Sequence, residues 1–237
     1  MLAQVARAAH ATPRALLDIL FPPRCVACRT AGDWFCARCR ASITPIPPPV
    51  CDRCGRQIER LPCPICAIHP PQIDGIRAFA FFENQLREAI HALKYEQRPE
   101  VVPALGALLD DFLGTLTWRV DALIAVPLHQ ERERARGYNQ ALLLAHALGA
   151  RRNLPVWQDG LIRVRSTRPQ VELNAVERRA NVQDAFMANE RVAGARIALI
   201  DDVCTTGATI EACSIALKQR GAKSVWGLAL ARPRFSE

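Results

Sequence analysis

The chain has 237 residues, half of them apolar, and 31 Lys and Arg against 23 Asp and Glu give a net charge of +8. That length suits one ordinary domain with a smaller module attached, and the apolar half is enough to build a packed core. No run approaches the roughly 18–20 apolar residues of a membrane span, and Arg7, His10, Arg14 and Asp18 break up the start of the chain, so no secretory leader is expected. The expected compartment is then the cytoplasm, where ten cysteines stay reduced and are not read as disulfides. The first 75 residues carry nine Arg, no Lys and five acids, half of the excess charge in a third of the length. A basic surface favours phosphate-bearing partners, although an arginine-rich composition alone also accounts for it.

In chain order, residues 1–22 read as an amino-terminal helix ending in the sticky group Leu16, Leu17, Ile19, Leu20 and Phe21 before Pro22-Pro23. Residues 23–71 form a cysteine-rich module with the proline cluster Pro45, Pro47, Pro48 and Pro49, and its only aromatics are Trp34 and Phe35. Such a segment buries too little apolar surface to fold on packing alone. Pro70-Pro71 closes it, and residues 75–237 read as the main domain. There Ile76–Phe82 is a strand, Leu86–Leu93 a helix with apolar residues at helical spacing, and Val101–Leu116 a second amphipathic helix. Ala122–Val126 is an apolar strand, Asn139–Leu148 a helix, and Ile197–Ile200 another apolar strand. A turn then leads into a helix running through Leu217, Gly221 stops it, and Val225–Leu230 is a last buried strand. Short apolar strands alternating with helices predict an α/β fold, a parallel sheet with helices on both faces.

Eight cysteines stand in four C-x-x-C pairs: Cys25/Cys28, Cys36/Cys39, Cys51/Cys54 and Cys63/Cys66. Two such knuckles supply the four thiolates of a tetrahedral Zn²⁺ site, so four pairs predict two structural zinc ions in a double zinc ribbon. Sequential and crossed sharing of the pairs are both possible. A redox pair, an iron–sulfur cluster and disulfides fit this spacing and compartment less well. His69 reads as a surface residue, Cys213 as a small core residue and Cys204 as a filler.

The stretch from Ile197 to Thr209 carries the chemistry. An apolar strand ends in Asp201-Asp202, and a turn with Thr205, Thr206, Gly207, Ala208 and Thr209 enters a helix. At the carboxyl end of a parallel strand this faces the ligand crevice. Helix-start amides and threonine hydroxyls can cradle a phosphate. Two carboxylates there would repel a phosphate unless they serve sugar hydroxyls, directly or through Mg²⁺. The order fits a ribose 5-phosphate; the plain alternative is a turn whose threonines cap a helix.

This stretch resembles the phosphoribosyl-pyrophosphate signature of type I phosphoribosyltransferases. From about Leu16 to Arg232 the chain is similar to the ComF family (ComFC and GntX-like proteins), linked to DNA uptake in competent bacteria. The resemblance is carried by Phe21-Pro-Pro-Arg-Cys25, the cysteine pairs, Leu93-Lys94-Tyr95, Val126-Pro127-Leu128 and Arg136-Gly137-Tyr138-Asn139-Gln140. Thr167, Gln170, Leu173, Glu177-Arg178 and Asn181 also carry it, with the phosphate loop. Cys204 and Tyr138 are small departures.

The resemblance implies a type I phosphoribosyltransferase fold preceded by a small zinc-ribbon module. It implies binding of phosphoribosyl pyrophosphate with Mg²⁺ and transfer of its ribose 5-phosphate, with Asp201, Asp202 and Arg136 as catalytic residues. Asp201, Asp202, Thr205, Thr206, Gly207, Ala208, Thr209, Arg136 and Gly137 would hold the ligand. The pyrophosphate would meet a loop at Val126–Gln140, where Gly137 and Asn139 open the next helix. In that loop Arg136 is read as functional, and Glu131 and Glu133 as solvated charge. Residues 163–183 would be a lid, with Gln170 and Arg178 its key side chains, and residues 76–120 a hood choosing the acceptor. Lys94 either points into the crevice or snorkels from its helix. Single-stranded DNA and helicase or recombination proteins of competence would be partners. The alternative is a protein that senses phosphoribosyl pyrophosphate and binds single-stranded DNA without turnover.

Overall fold

The structure, a computed structural model, describes residues 22–164 and 184–234. The expected amino-terminal helix and the lid residues Gln170 and Arg178 lie outside them.

Four strands form a parallel sheet: β1 (Gly75–Phe81), β2 (Ala122–Ala125), β5 (Arg196–Val203) and β6 (Ser224–Arg232), in the order β1-β6-β5-β2. β2 and the middle of β5 and β6 are almost wholly buried, as strands covered on both faces must be. One face carries α3 (Asn84–Tyr95), α4 (Val102–Gly114) and α6 (Gln140–Arg152), whose Leu93, Leu105, Leu109 and Leu144 pack on Ala198, Ile200, Leu228 and Leu230. The other face carries α7 (Ala208–Gln219) and a two-stranded antiparallel ribbon, β3 (Leu161–Arg163) with β4 (Phe186–Ala188). This is the expected class, a parallel sheet with helices on both faces preceded by a small cysteine-rich module. No helix among the described residues is long and apolar enough to cross a membrane.

The sequence reading missed two features. Residues placed in a loop between Val126 and Gln140 include a short helix, α5 (Gln130–Arg136). Gly137 does not open the next helix; at φ 82° it ends α5, and Asn139 caps α6. The β3–β4 ribbon was also not anticipated. The residues assigned to an acceptor hood build the main sheet's edge strand β1 together with α3 and α4.

The cysteine module has two parts, each with one short helix, α1 (Ala37–Ala41) and α2 (Pro64–Ile68). The first inserts Cys25, Val26, Phe35 and Cys39 into the three-helix core. The second lies along the free edge of β1. Ile76 N–H donates to Arg53 O at 2.9 Å, Ile46 N–H donates to Phe79 O at 3.0 Å, and Arg77 bonds Asp52. Gly55 makes this approach possible, because a Cβ there would stand 2.2 Å from Ile76 O. Arg232, fully buried at the end of β6, donates to Cys54 O at 2.9 Å. Both sheet edges are therefore covered, since Leu123 of β2 exchanges backbone bonds with Pro155 and Trp157.

Candidate functional site

The eight paired cysteines gather in two groups, Cys25, Cys28, Cys36, Cys39 and Cys51, Cys54, Cys63, Cys66, with the sulfurs of each group within 4.8 Å of one another. Sharing is therefore sequential. The Cys28–Cys36, Cys51–Cys66 and Cys54–Cys63 sulfur distances are 3.6, 3.7 and 3.9 Å. A Zn–S bond of about 2.3 Å puts tetrahedral sulfurs about 3.8 Å apart, so the spacing fits zinc. Four sulfurs leave no open coordination position, which makes these structural sites. His69 is exposed and belongs to neither group.

A crevice of about 450 Å³ opens at the carboxyl ends of the strands. Asp201 and Asp202 stand just before Val203, the last residue of β5, and strand alternation sends their side chains to opposite faces. Asp202 points to the three-helix side, where its Oδ1 meets Lys94 Nζ at 2.7 Å and its Oδ2 is buried with no partner among the described residues. Lys94 thus points into the crevice rather than out to solvent. Burial, then the neighbouring Asp202 carboxylate, push Asp201 up to about 7, against the pull of Lys94 and of the Asp202 amide, which donates to it at 2.8 Å.

After β5 the chain turns through Cys204, Thr205 and Thr206 to Gly207 at φ 85°, and α7 begins at Ala208. That positive φ favours glycine, and a Cβ there would crowd Ile76 Cδ1 at 3.1 Å. Thr205, Gly207, Ala208 and Thr209 line the crevice. Thr206 instead accepts from Ala208 N–H at 3.3 Å, closing the turn. Cys204 is buried and bonds backbone-to-backbone to Ala231, and burial pushes its thiol up to about 11, so it is a filler and not a nucleophile. Cys213, on the buried face of α7, is a core residue.

Across the crevice, Arg136 at the end of α5 donates to Gln140 Oε1 at 2.8 Å and lies 5.3 Å over the Tyr95 ring. Asn139 sets this wall. Its Nδ2 donates to Val126 O at 3.1 Å, and its Oδ1 accepts from Ala141 and Leu142 amides, tying the start of α6 to the end of β2. Tyr138 OH donates to Leu93 O at 2.6 Å and ties the same turn to α3. Arg132, His129, Glu131 and Arg163 also line the crevice, whereas Gly137 does not. The sequence reading placed Arg163 at the start of the lid; it is instead the last residue of β3, paired with Phe186 of β4, because nothing in its local pattern signals that a strand ends at this opening. His91, Tyr95 and Phe82 form the remaining rim.

A family model described as a double zinc ribbon domain matches residues 16–67. The chain is 34% identical over 163 residues to the DNA utilization protein YhgH of Escherichia coli O157:H7, covering 66% of this chain and 71% of that protein. It is 40% identical over 116 residues to competence protein F of Haemophilus influenzae, covering 47% and 51% of the two chains. It is 30% identical over 161 residues to competence protein ComFC of Bacillus subtilis, covering 66% and 63%. Solved structures similar to it include a glutamine phosphoribosylpyrophosphate amidotransferase from B. subtilis, at 18% identity and TM-score 0.39 over 55% of this chain and 26% of that one. A purine phosphoribosyltransferase from Pyrococcus horikoshii is similar at 20% identity and TM-score 0.31, over 59% and 75%.

Proposed function

Because this chain belongs to the ComF family of competence and DNA-utilization proteins, we propose that its crevice binds phosphoribosyl pyrophosphate and transfers the ribose 5-phosphate to an acceptor. The observation that carries this reading is the joining, in one opening, of two strand-end carboxylates, a hydroxyl-bearing turn at a helix start and Arg136 opposite. The amino end of α7 and the hydroxyls of Thr205 and Thr209 take the 5-phosphate. Asp201 accepts from a sugar hydroxyl. Asp202, held by Lys94, keeps one buried oxygen for the same diol or for the ion that accompanies it. Arg136 presents a planar guanidinium to the pyrophosphate. A Mg²⁺ bound with the ligand would neutralise pyrophosphate charge as the bond to the ribose breaks. The geometry of the strand-end acids and the family resemblance support this reading.

The test is calorimetric titration with phosphoribosyl pyrophosphate and Mg²⁺. Binding that disappears in an Asp201→Asn, Asp202→Asn variant supports the pocket, and unchanged affinity in that variant rejects it. Release of labelled pyrophosphate on adding candidate bases separates transfer from binding alone.

A second reading is a non-catalytic sensor that also holds single-stranded DNA. It is favoured by Arg24, Arg29, Arg38, Arg53 and Arg60, all exposed on the cysteine module. Such binding weakens steeply with salt, and filter binding across a salt series measures it.

A further inference from the structure

At the edge of the sheet where the strands begin, opposite the crevice, a second hollow of about 430 Å³ is lined by Trp118, Trp226, Arg77, Arg119 and Arg196. Trp118, on the connection between α4 and β2, stacks on Trp226 of β6 with ring centroids 4.7 Å apart and planes 24° apart. Trp118 is anchored on the three-helix core, but Trp226 packs against neither core of the sheet. Space for its indole is kept by Gly75, where a Cβ would stand 2.8 Å from Trp226 Cζ3. The pair is half-buried, with Trp118 holding it to the core and the Trp226 ring not spent on filling either core.

The charges around it are unevenly committed. Arg77 is held by Asp52 at 2.9 Å, and Arg196 by Asp121 at 2.5 Å. Asp74, the other acid of the hollow, is held by Lys218 at 3.0 Å and by the Val225 amide at 2.7 Å. Each acid at the rim is thus already matched by a cation. Arg119 is exposed and makes no hydrogen bond or ion pair among the described residues. An aromatic platform beside an unspent guanidinium fits a planar base joined to a phosphate: the ring stacks, and the phosphate takes the fork of the arginine. The volume is within the roughly 300–1,000 Å³ of small-ligand sites.

We propose that this hollow binds a nucleoside phosphate, with the base on the Trp118–Trp226 pair and the phosphate on Arg119. The site does not rest on the phosphoribosyl reading of the crevice, which opens at the other ends of the same strands. The nucleoside phosphate comes either as a free nucleotide or as one unit of a single strand.

Tryptophan emission is followed while adding thymidine monophosphate, an oligothymidylate of about ten nucleotides, or an abasic sugar-phosphate strand of the same length. The expected result is quenching by the first two and none by the third. Tighter binding of the oligothymidylate than of the monophosphate assigns a strand; equal binding per nucleotide assigns the free nucleotide. Trp226→Leu shrinks the quenching and weakens binding at least about fivefold, the lower end of what one stacked base contributes. Arg119→Glu, an exposed change that leaves folding intact, weakens it similarly and flattens its salt dependence. Phosphoribosyl pyrophosphate affinity is measured on the same variants and stays unchanged. Equal binding of the abasic strand, or unchanged affinity in Arg119→Glu, overturns the proposal. A parallel loss of both ligands in Arg119→Glu overturns the separateness of the two sites.

Discussion

Replacing Lys94 with methionine leaves Asp202 a buried carboxylate without its cation. The Lys94 and Asp202 side chains are 16% and 3% exposed, so water cannot replace the lost partner. Removing one member of a buried pair costs about 3–5 kcal/mol, whereas removing both together is nearly neutral. Urea unfolding is therefore expected to show a large loss for Lys94→Met and a much smaller one for Lys94→Met with Asp202→Asn. Asp201 makes a pH prediction. Its folded-state value of about 7 lies above the ordinary 3.8, so between these values the folded protein holds the proton more tightly than the unfolded chain. Stability contributed by this group is then present at low pH and lost as pH rises toward 7. Melting temperatures at pH 5 and pH 8 check the sign: Asp201→Asn should gain on the native chain at pH 8, with the advantage shrinking at pH 5. Lys94 also shows where sequence reading stops. Its helical position allowed either orientation, and only the fold brings it to a carboxylate far along the chain.

At the scale of elements, Asn139 is the joint that fixes α6 against β2. Asn139→Ala removes the cap and the tie to Val126 O, and a loss of about 1–2 kcal/mol in thermal unfolding is expected. Asn139→Asp keeps the capping oxygen but not the donor to Val126, so it should fall between the two. The strands and the helices α3, α4, α6 and α7 were legible because each has a buried face that imposes a period on its sequence. The run Gln130–Arg136 has no buried residue to impose one. Its ends are set instead by His129, whose Nδ1 accepts from Glu131 N–H, and by Gly137, so a helix was read as a loop. The strands β3 and β4, three residues each, are too short for alternation to register. The acids and the glycine turn were visible in the sequence because they are contiguous. The contributions of Phe82, His91 and Arg163 to the rim were not, because they come from separate elements.

At the scale of the molecule, the cysteine module is part of the sheet's construction. Its second half supplies Arg53 O to Ile76 and holds Arg77 and Arg232, so it covers an edge that would otherwise pair with other chains. Two zinc ions per chain are expected by metal analysis, and Cys25→Ser with Cys28→Ser, or Cys51→Ser with Cys54→Ser, should each leave one. The second variant should also scatter light on warming at temperatures where the native chain stays clear, because it frees the edge of β1.

The order β1-β6-β5-β2 places β6, the last of the sheet's four strands to be made, between the first and the third of them. A nascent polypeptide that has not yet released Ser224–Arg232 from the ribosome holds two unconnected pieces, β1 with its cysteine knuckles and the pair β2–β5. Metal can therefore be captured early, but the crevice forms only once Ser224–Arg232 has emerged. A stop codon just before Ser224 would remove the keystone of the sheet.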